Sequence, residues 1–260
     1  MRRRHITFAC EGAELAATID EAAGDTALLI VSGGNETRAG AWNGQALLAA
    51  RVAAAGYPVL RFDRRGVGDS EGENRGFRAS GADIAAAIAA FRAECPRVLR
   101  IVGFGNCDAA SALMLSGGAE LDGLILSNPW TFDADAADEA PSEVVRDHYR
   151  RRLADPAALK RLLTGKVSIG PLLRSLVAAA RPAPAVPKGL AAEIAAGVAQ
   201  FSGSVRFLIA GRDRTGLAFV ANWDKRDARL RTCADATHSY VEPVAQDWLV
   251  EQVLENLRVV

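Results

Sequence analysis

The sequence predicts an α/β fold in which a mostly parallel sheet carries helices on both faces. Short apolar segments of strand type alternate with alanine- and leucine-rich segments of helix type through most of the chain, a pattern typical of parallel sheets. One long interruption divides the alternation. We therefore expect a core formed by residues 1–130 and 204–260, and an inserted helical cap formed by residues 131–203.

The individual elements follow from the local pattern. Residues 4–10 and 14–22 form two strands around Glu11-Gly12-Ala13, which predicts an antiparallel hairpin at the sheet edge. The later strands are short and apolar, as expected of buried strands, and are predicted at residues 27–31, 57–62, 98–102, 124–126, 205–210 and 230–233. Helices are predicted at residues 42–55, 80–93, 217–225 and 243–257 and from Asp108 onward. Gly103 and Gly105 are expected to end the strand that begins at Val98.

The turn Gly105-Asn106-Cys107-Asp108-Ala109 lies between a predicted strand and a predicted helix. A reactive side chain on a sharp turn of this kind is the layout of a nucleophile elbow. Small residues at Gly105 and Ala109 are expected because larger side chains would collide with the strained apex. Cys107 would stand at a helix N-terminus, where unpaired N–H groups favour negative charge and hence the nucleophilic thiolate. The alternative is a small buried cysteine without a chemical role.

Two further residues complete a predicted catalytic triad with Cys107. A cysteine nucleophile needs a base, and the base needs an orienting group. His238 follows the last predicted core strand, at the sheet edge where open α/β sheets bind their ligands. Asp213 follows a hydrophobic strand and precedes His238 by 25 residues. The alternatives are a solvated loop histidine and an ordinary helix N-cap aspartate.

Other residues of the same types are weaker candidates. The two remaining histidines lie elsewhere, His5 in the edge hairpin and His148 in the predicted cap. Asp133, shortly after the preceding core strand, is the reserve candidate for the acid. Asp235 is close to the catalytic histidine in sequence, but it belongs to the same loop.

An oxyanion hole requires two backbone N–H donors aimed at the developing negative oxygen. One donor is expected from Asp108, immediately after the nucleophile. The other is expected from the loop after the strand at residues 27–31, at either Gly34 or Asn35. Because the Asp108 carboxylate would oppose a thiolate, its side chain is expected to point away, to Arg65 or the first helical turn.

The composition describes a globular, soluble protein with balanced charge. The 260 residues include 31 basic and 31 acidic ones, so charge gives no case for nucleic-acid binding. Four cysteines lack metal-ligand spacing, and we predict no disulfide scaffold, no metal and no cofactor. The basic start lacks the apolar region of a signal peptide, and no apolar run approaches the ~20 residues of a membrane span. The reducing cytoplasm is the expected compartment.

Together these motifs resemble the α/β-hydrolase superfamily over essentially the whole chain, including its chain order of nucleophile, acid and histidine. Asp63-Arg64-Arg65-Gly66-Val67-Gly68-Asp69-Ser70 is similar to a D-x-R-G-x-G-x-S turn that many members carry. A closer resemblance, to the exosortase A system-associated hydrolases with a cysteine at the elbow, is carried by residues 61–73, 105–112, 128–130, 162–170 and 211–215. That resemblance implies the α/β-hydrolase fold and an association with bacterial exopolysaccharide and protein-sorting gene clusters. Ser32-Gly33-Gly34-Asn35 departs from the His-Gly-Gly motif of many lipases, and Ala109 from their glycine.

The predicted chemistry is hydrolysis of a small-molecule acyl ester or thioester through a covalent thioester on Cys107. His238 would take the thiol proton and later activate water, while Asp213 fixes its tautomer. An acyltransferase with a hydroxyl or amine acceptor and a non-catalytic ligand-binding hydrolase fold remain alternatives. Residues 142–181 carry nine basic and three acidic residues. They form either a solvated helical face or a surface that attracts substrates linked to coenzyme A or an acidic carrier protein.

Overall fold

A computed structural model of the chain describes residues 2–118, 120–132 and 189–260. Asp133, His148 and most of the predicted cap lie outside the described residues. The division into core and cap therefore remains a prediction.

Eight strands form a single sheet in the described chain. They are β1 (Arg3–Cys10), β2 (Ala13–Asp20), β3 (Thr26–Val31), β4 (Val59–Phe62), β5 (Arg100–Asn106), β6 (Gly123–Ser127), β7 (Ser204–Ala210) and β8 (Leu230–Cys233). Their order is β1-β2-β4-β3-β5-β6-β7-β8. The β1–β2 and β2–β4 pairs are antiparallel, and all other neighbours are parallel. The predicted edge hairpin and mostly parallel sheet are confirmed.

Helices cover both faces of this sheet. They are α1 (Gly44–Ala54), α2 (Gly81–Glu94), α3 (Asp108–Leu115), α4 (Leu190–Gln200), α5 (Arg214–Ala221) and α6 (Pro243–Val259). Alternate residues of β3 point to opposite faces: Leu29 joins a cluster with α2, α3 and α4, and Leu28 joins one with α1 and α6. Burial on both faces explains why the inner strands are continuously apolar. Helix α4 falls within the predicted cap by number, yet its Ile194 is buried in the cluster shared with α3.

The prediction that Gly103 and Gly105 end the central strand was wrong, because β5 runs through both glycines. Gly105 pairs with β3 on one side and β6 on the other. A Cβ on Gly105 would lie 2.7 Å from the backbone of Ala109, and one on Gly103 would lie 2.6 Å from the Leu121 side chain. These glycines therefore allow α3 to pack closely on the strand, and they do not interrupt it.

The turn after β4 is anchored by a buried carboxylate. Asp63 is fully buried, accepts the Asp69 N–H at 3.0 Å, and pairs with the backbone and guanidinium of Arg38. The Ser70 hydroxyl donates to the Asp63 carbonyl at 2.7 Å. Gly68 has φ +57°, and a Cβ there would collide with the Asp63 carboxylate. The D-x-R-G-x-G-x-S segment is thus a rigid turn, which fixes the chain on either side of Asp63.

Candidate active site

Cys107 lies at the apex of the turn between β5 and α3. Its backbone has φ 62° and ψ −127°, a conformation that strains any residue with a side chain. Three backbone hydrogen bonds hold it: the Cys107 N–H donates to the Ser127 carbonyl at 3.0 Å, and the Cys107 carbonyl accepts the N–H groups of Trp130 at 3.3 Å and Ser111 at 3.4 Å. The turn therefore has the geometry of a nucleophile elbow, with the thiol presented at the carboxyl edge of the sheet.

His238 and Asp213 meet beside this turn. The His238 Nδ1 and the Asp213 Oδ2 are 2.9 Å apart, and the Asp213 side chain is only 7% exposed. Asp213 also caps α5, since the Gly216 N–H donates to the same carboxylate at 2.9 Å. The catalytic and N-cap interpretations of Asp213 are therefore compatible, because one carboxylate makes both contacts.

The electrostatic surroundings of His238 favour its charged form. The hydrogen bond to Asp213, and then the hydrogen bond to Cys107, raise the pKa of His238 from 6.5 to about 10, although burial acts in the opposite direction. At neutral pH the ring is therefore an imidazolium held between a carboxylate and a thiol. This arrangement can supply a proton to a leaving group and stabilise a thiolate.

The structure brings Gly34 and Asp108 into direct contact. The Gly34 N–H donates to the Asp108 carboxylate at 2.6 Å, and the Arg64 guanidinium lies 3.5 Å from that carboxylate and donates to the Gly34 carbonyl. The expectation that the Asp108 side chain points to Arg65 or to the first helical turn was wrong. Arg65 is instead held by Asp83 at 2.7 Å, so Arg64 is the guanidinium that reaches Asp108.

The remaining candidates lie apart from these contacts. Asn35 follows Gly34 in the loop after β3, and its side-chain oxygen accepts from Asn74 at 2.8 Å. His5 is on the edge strand β1, 3.1 Å from the Thr18 hydroxyl. Asp235 is exposed in the loop that leads to His238. No described contact joins either His5 or Asp235 to Cys107.

Sequence reasoning missed a pair of asparagines that hold the histidine loop. The Asn106 amide donates to the His238 carbonyl at 3.2 Å, and the Asn128 amide donates to the Asn106 side-chain oxygen at 3.0 Å. Asn128 is fully buried, has φ 43°, and accepts the Ala210 N–H at 2.8 Å. The sequence signal was the Asn128-Pro129-Trp130 segment at the end of a predicted strand, but the partners are distant in sequence.

A cavity of about 590 Å³, which includes its solvent-open mouth, adjoins the histidine loop between α1 and α6. Trp42, Leu48 and Leu249 contribute apolar walls. The Trp42 indole N–H donates to the Ser239 carbonyl at 3.1 Å. Trp42 therefore connects the segment after β3 to the residue that follows His238.

Within residues 2–118, 120–132 and 189–260, no group of three or more His, Cys, Asp or Glu side chains has a metal-binding arrangement. The same residues include no helix that is long and apolar enough to span a membrane.

Comparisons with solved structures identify the fold. The Pyrococcus furiosus esterase Pf2001 matches with a TM-score of 0.64 and 15% identity over 99% of this chain and 90% of that one. The α/β hydrolase GrgF from Penicillium sp. sh18 matches with a TM-score of 0.66 and 16% identity, over 99% and 98% of the two chains. Est1E from Butyrivibrio proteoclasticus, solved with ferulic acid bound, matches with a TM-score of 0.62 and 16% identity over 97% of this chain and 99% of that one. At these identities the likeness concerns the fold.

A search of curated proteins found no match. The model of the alpha/beta hydrolase family matches residues 28–252. That range extends from β3 to α6 and contains the elbow, the carboxylate and the histidine described above. With most of its length matched, this chain belongs to the alpha/beta hydrolase family.

Proposed function

We propose that this α/β-hydrolase cleaves acyl esters or thioesters through a covalent acyl-cysteine intermediate on Cys107. The observation that supports the proposal most strongly is the pairing of the His238 Nδ1 with the Asp213 carboxylate at 2.9 Å, with the pKa of His238 raised to about 10 by Asp213 and then by Cys107. A histidine that serves only as a solvated loop residue would not combine these partners. The strained backbone of Cys107 adds support, since strain of this kind clusters at functional sites.

The proposed reaction has two half-steps. The Cys107 thiolate attacks the acyl carbon, a tetrahedral oxyanion forms, and the leaving alkoxide or thiolate takes a proton from the His238 imidazolium. Neutral His238 then removes a proton from water, the resulting hydroxide attacks the thioester, and the Cys107 thiolate leaves. Asp213 neither gains nor loses a proton in the cycle. It fixes the orientation and tautomer of the His238 ring. The cycle returns the imidazolium and thiolate, with no cofactor.

The oxyanion would be stabilised by backbone N–H groups at the elbow and in the loop after β3. Asp108 N–H is the first proposed donor, since it begins α3 immediately after the nucleophile. Gly34 or Asn35 would supply the second, from a loop that already contacts the Asp108 side chain. Loss of one such donor typically costs on the order of 3 kcal/mol in the transition state.

The substrate and cellular setting are proposed from sequence. From the motif resemblance we propose that the chain is related to the cysteine-elbow hydrolases of exosortase A systems and acts in the reducing cytoplasm. The excess of basic residues over residues 142–181 favours an acyl group carried on coenzyme A or on an acidic carrier protein. Added salt should then weaken thioester turnover. If turnover is independent of ionic strength, the carrier proposal is wrong.

The first experiment compares iodoacetamide labelling of each cysteine by peptide mass spectrometry, between pH 5 and 10, in the parent and in His238→Ala. Cys107 should react fastest and lose this advantage in His238→Ala. Cys10 and Cys95 are internal controls, because burial raises the pKa of both thiols. Acyl esters and acyl-coenzyme A thioesters are then tested for turnover and for an acylated Cys107 peptide. If Cys107 is labelled slowly and at the same rate in the parent and in His238→Ala, and no substrate is turned over, the triad is refuted and a ligand-binding protein is favoured.

A further inference from the structure

We propose that Asp108 and Arg64 form a positioning pair that holds the loop after β3, so that the Asn35 N–H serves as the second oxyanion donor. The inference rests on the proposed acyl-transfer function. It concerns the side chains of Asp108 and Arg64, whereas the elbow motif concerns only the backbone N–H of Asp108. Neither side chain touches the reacting atoms in this proposal.

The pair connects three neighbouring loops. Gly34 follows β3, Arg64 follows β4, and Asp108 follows β5, and these three strands are adjacent in the sheet. Arg64 is only 4% exposed, and it also donates to the Ser80 hydroxyl at 3.1 Å. Ser80 immediately precedes α2, so one guanidinium nitrogen of Arg64 is held at the start of that helix while the other contacts Gly34 and Asp108. A buried arginine with several acceptors is a rigid support for a loop.

Gly34 is held at both of its polar backbone groups. Its N–H donates to the Asp108 carboxylate at 2.6 Å, and its carbonyl accepts from Arg64. The neighbouring Gly33 packs so tightly that a Cβ there would lie 2.7 Å from the Asn106 carbonyl oxygen and 2.9 Å from Asp108 Oδ1. The loop is therefore seated directly on the nucleophile elbow.

These contacts distinguish between the two candidates for the second oxyanion donor, the N–H groups of Gly34 and Asn35. The Gly34 N–H is used by Asp108, and the Glu36 N–H donates to the Gly33 carbonyl at 3.0 Å. Among the hydrogen bonds of the described residues, the N–H groups of Asn35 and Asp108 have no protein acceptor. An oxyanion hole needs unpaired N–H donors, and Asn35 and Asp108 carry them in the loop after β3 and in the elbow, which the contact between Gly34 and Asp108 joins.

The pair also balances charge beside the nucleophile. The Asp108 carboxylate is in the residue adjacent to Cys107, where an isolated negative charge would oppose the thiolate. The Arg64 guanidinium, 3.5 Å from that carboxylate and largely buried, offsets it. Removing Asp108 leaves an uncompensated cation near the thiol, and removing Arg64 leaves an uncompensated anion. The two single changes therefore have opposite electrostatic effects and the same effect on the loop.

The test uses two reactions that differ in their need for the oxyanion hole. Ester acylation passes through a tetrahedral oxyanion, whereas alkylation of the thiol by iodoacetamide does not. Asp108→Ala and Arg64→Met should each lower kcat for ester hydrolysis about tenfold. This loss is smaller than the roughly 10²–10³-fold loss of kcat that follows removal of an oxyanion-hole donor itself. At pH 7, labelling of Cys107 should rise in Asp108→Ala and fall in Arg64→Met. Asp108→Asn, which keeps an acceptor for the Gly34 N–H, should restore most of kcat.

Arg100→Met and Asp25→Ala are matched controls, since this exposed pair at 3.4 Å joins the start of β5 to the residue before β3. Both should leave kcat and labelling unchanged. A higher kcat in Asp108→Ala would overturn the proposal, because the carboxylate would then block the Gly34 donor. An unchanged kcat, or labelling that shifts in the same direction in both variants, would also overturn it. If Asp108→Ala unfolds, Asp108→Asn and Arg64→Lys decide by the same readouts. A parent without turnover or fast labelling would instead refute the proposed function.

Discussion

Replacing Gly105 with alanine tests whether the close approach of α3 to β5 builds the nucleophile turn. A Cβ at this position would lie 2.7 Å from the carbonyl carbon of Ala109 and 2.7 Å from the nitrogen of Ala110. Both atoms are backbone in the first turn of α3, so no side-chain rotation can relieve the contact. Either α3 moves away from the sheet or β5 shifts against its two neighbours.

The expected cost follows from this geometry. Overpacking typically costs 1–3 kcal/mol, and a clash with backbone belongs at the upper end, so the free energy of unfolding should fall by about 3 kcal/mol. For a chain of this size, the melting temperature should then fall by about 6–12 °C. Gly81→Ala is the matched control, because a Cβ at Gly81 meets nothing within 4 Å at the start of α2. That change should be neutral or stabilise by up to about 1 kcal/mol.

Urea denaturation and iodoacetamide labelling would be measured on both variants. In Gly105→Ala the displaced α3 should also slow labelling of Cys107, since the apex loses its position beside His238. In Gly81→Ala labelling should equal that of the parent. Equal stability and equal labelling in the two variants would refute the argument that Gly105 is required by space.

Three other predictions concern the histidine loop. Because the pKa of His238 is raised from 6.5 to about 10, its contribution to stability is complete below pH 6.5 and is lost as pH rises through about 10. In His238→Ala, the free energy of unfolding measured with urea should therefore vary less with pH over that range. Asp213→Asn should lower the pH at which kcat/KM falls on the alkaline side. Asn128→Leu leaves buried partners unpaired, so unfolding free energy should fall by about 2 kcal/mol or more and kcat should drop, while an Asn222→Leu control changes kcat little. Trp42→Phe removes one hydrogen bond to the histidine loop and should lower kcat up to about fivefold in steady-state assays.

The fold could be predicted from sequence because its signals are local. Apolar strand segments, helices between them and the turn at Gly12 each depend on neighbouring residues. The continuation of β5 through Gly103 could not be predicted, since glycine is read as a breaker unless a helix packs on it. Side-chain partners were equally hidden: nothing in the spacing of Arg64, Arg65 and Asp108 distinguishes which arginine faces the carboxylate. That choice depends on Asp83 in α2, which forms an ion pair with Arg65 and leaves Arg64 to face Asp108.

The topology gives the asparagine pair a supporting part in the proposed triad. Cys107 follows β5 and Asp213 follows β7, while His238 follows β8, three positions away from β5 in the sheet. The loop that carries His238 must therefore cross the ends of β7 and β6 to reach the nucleophile. Asn128 at the end of β6 and Asn106 at the end of β5 are the supports along this path, and their amides converge on the His238 carbonyl at 3.5 and 3.2 Å. Asp213 fixes the ring from one side, and the amides fix the backbone that carries it, so both must be in place for the imidazolium to meet the thiol.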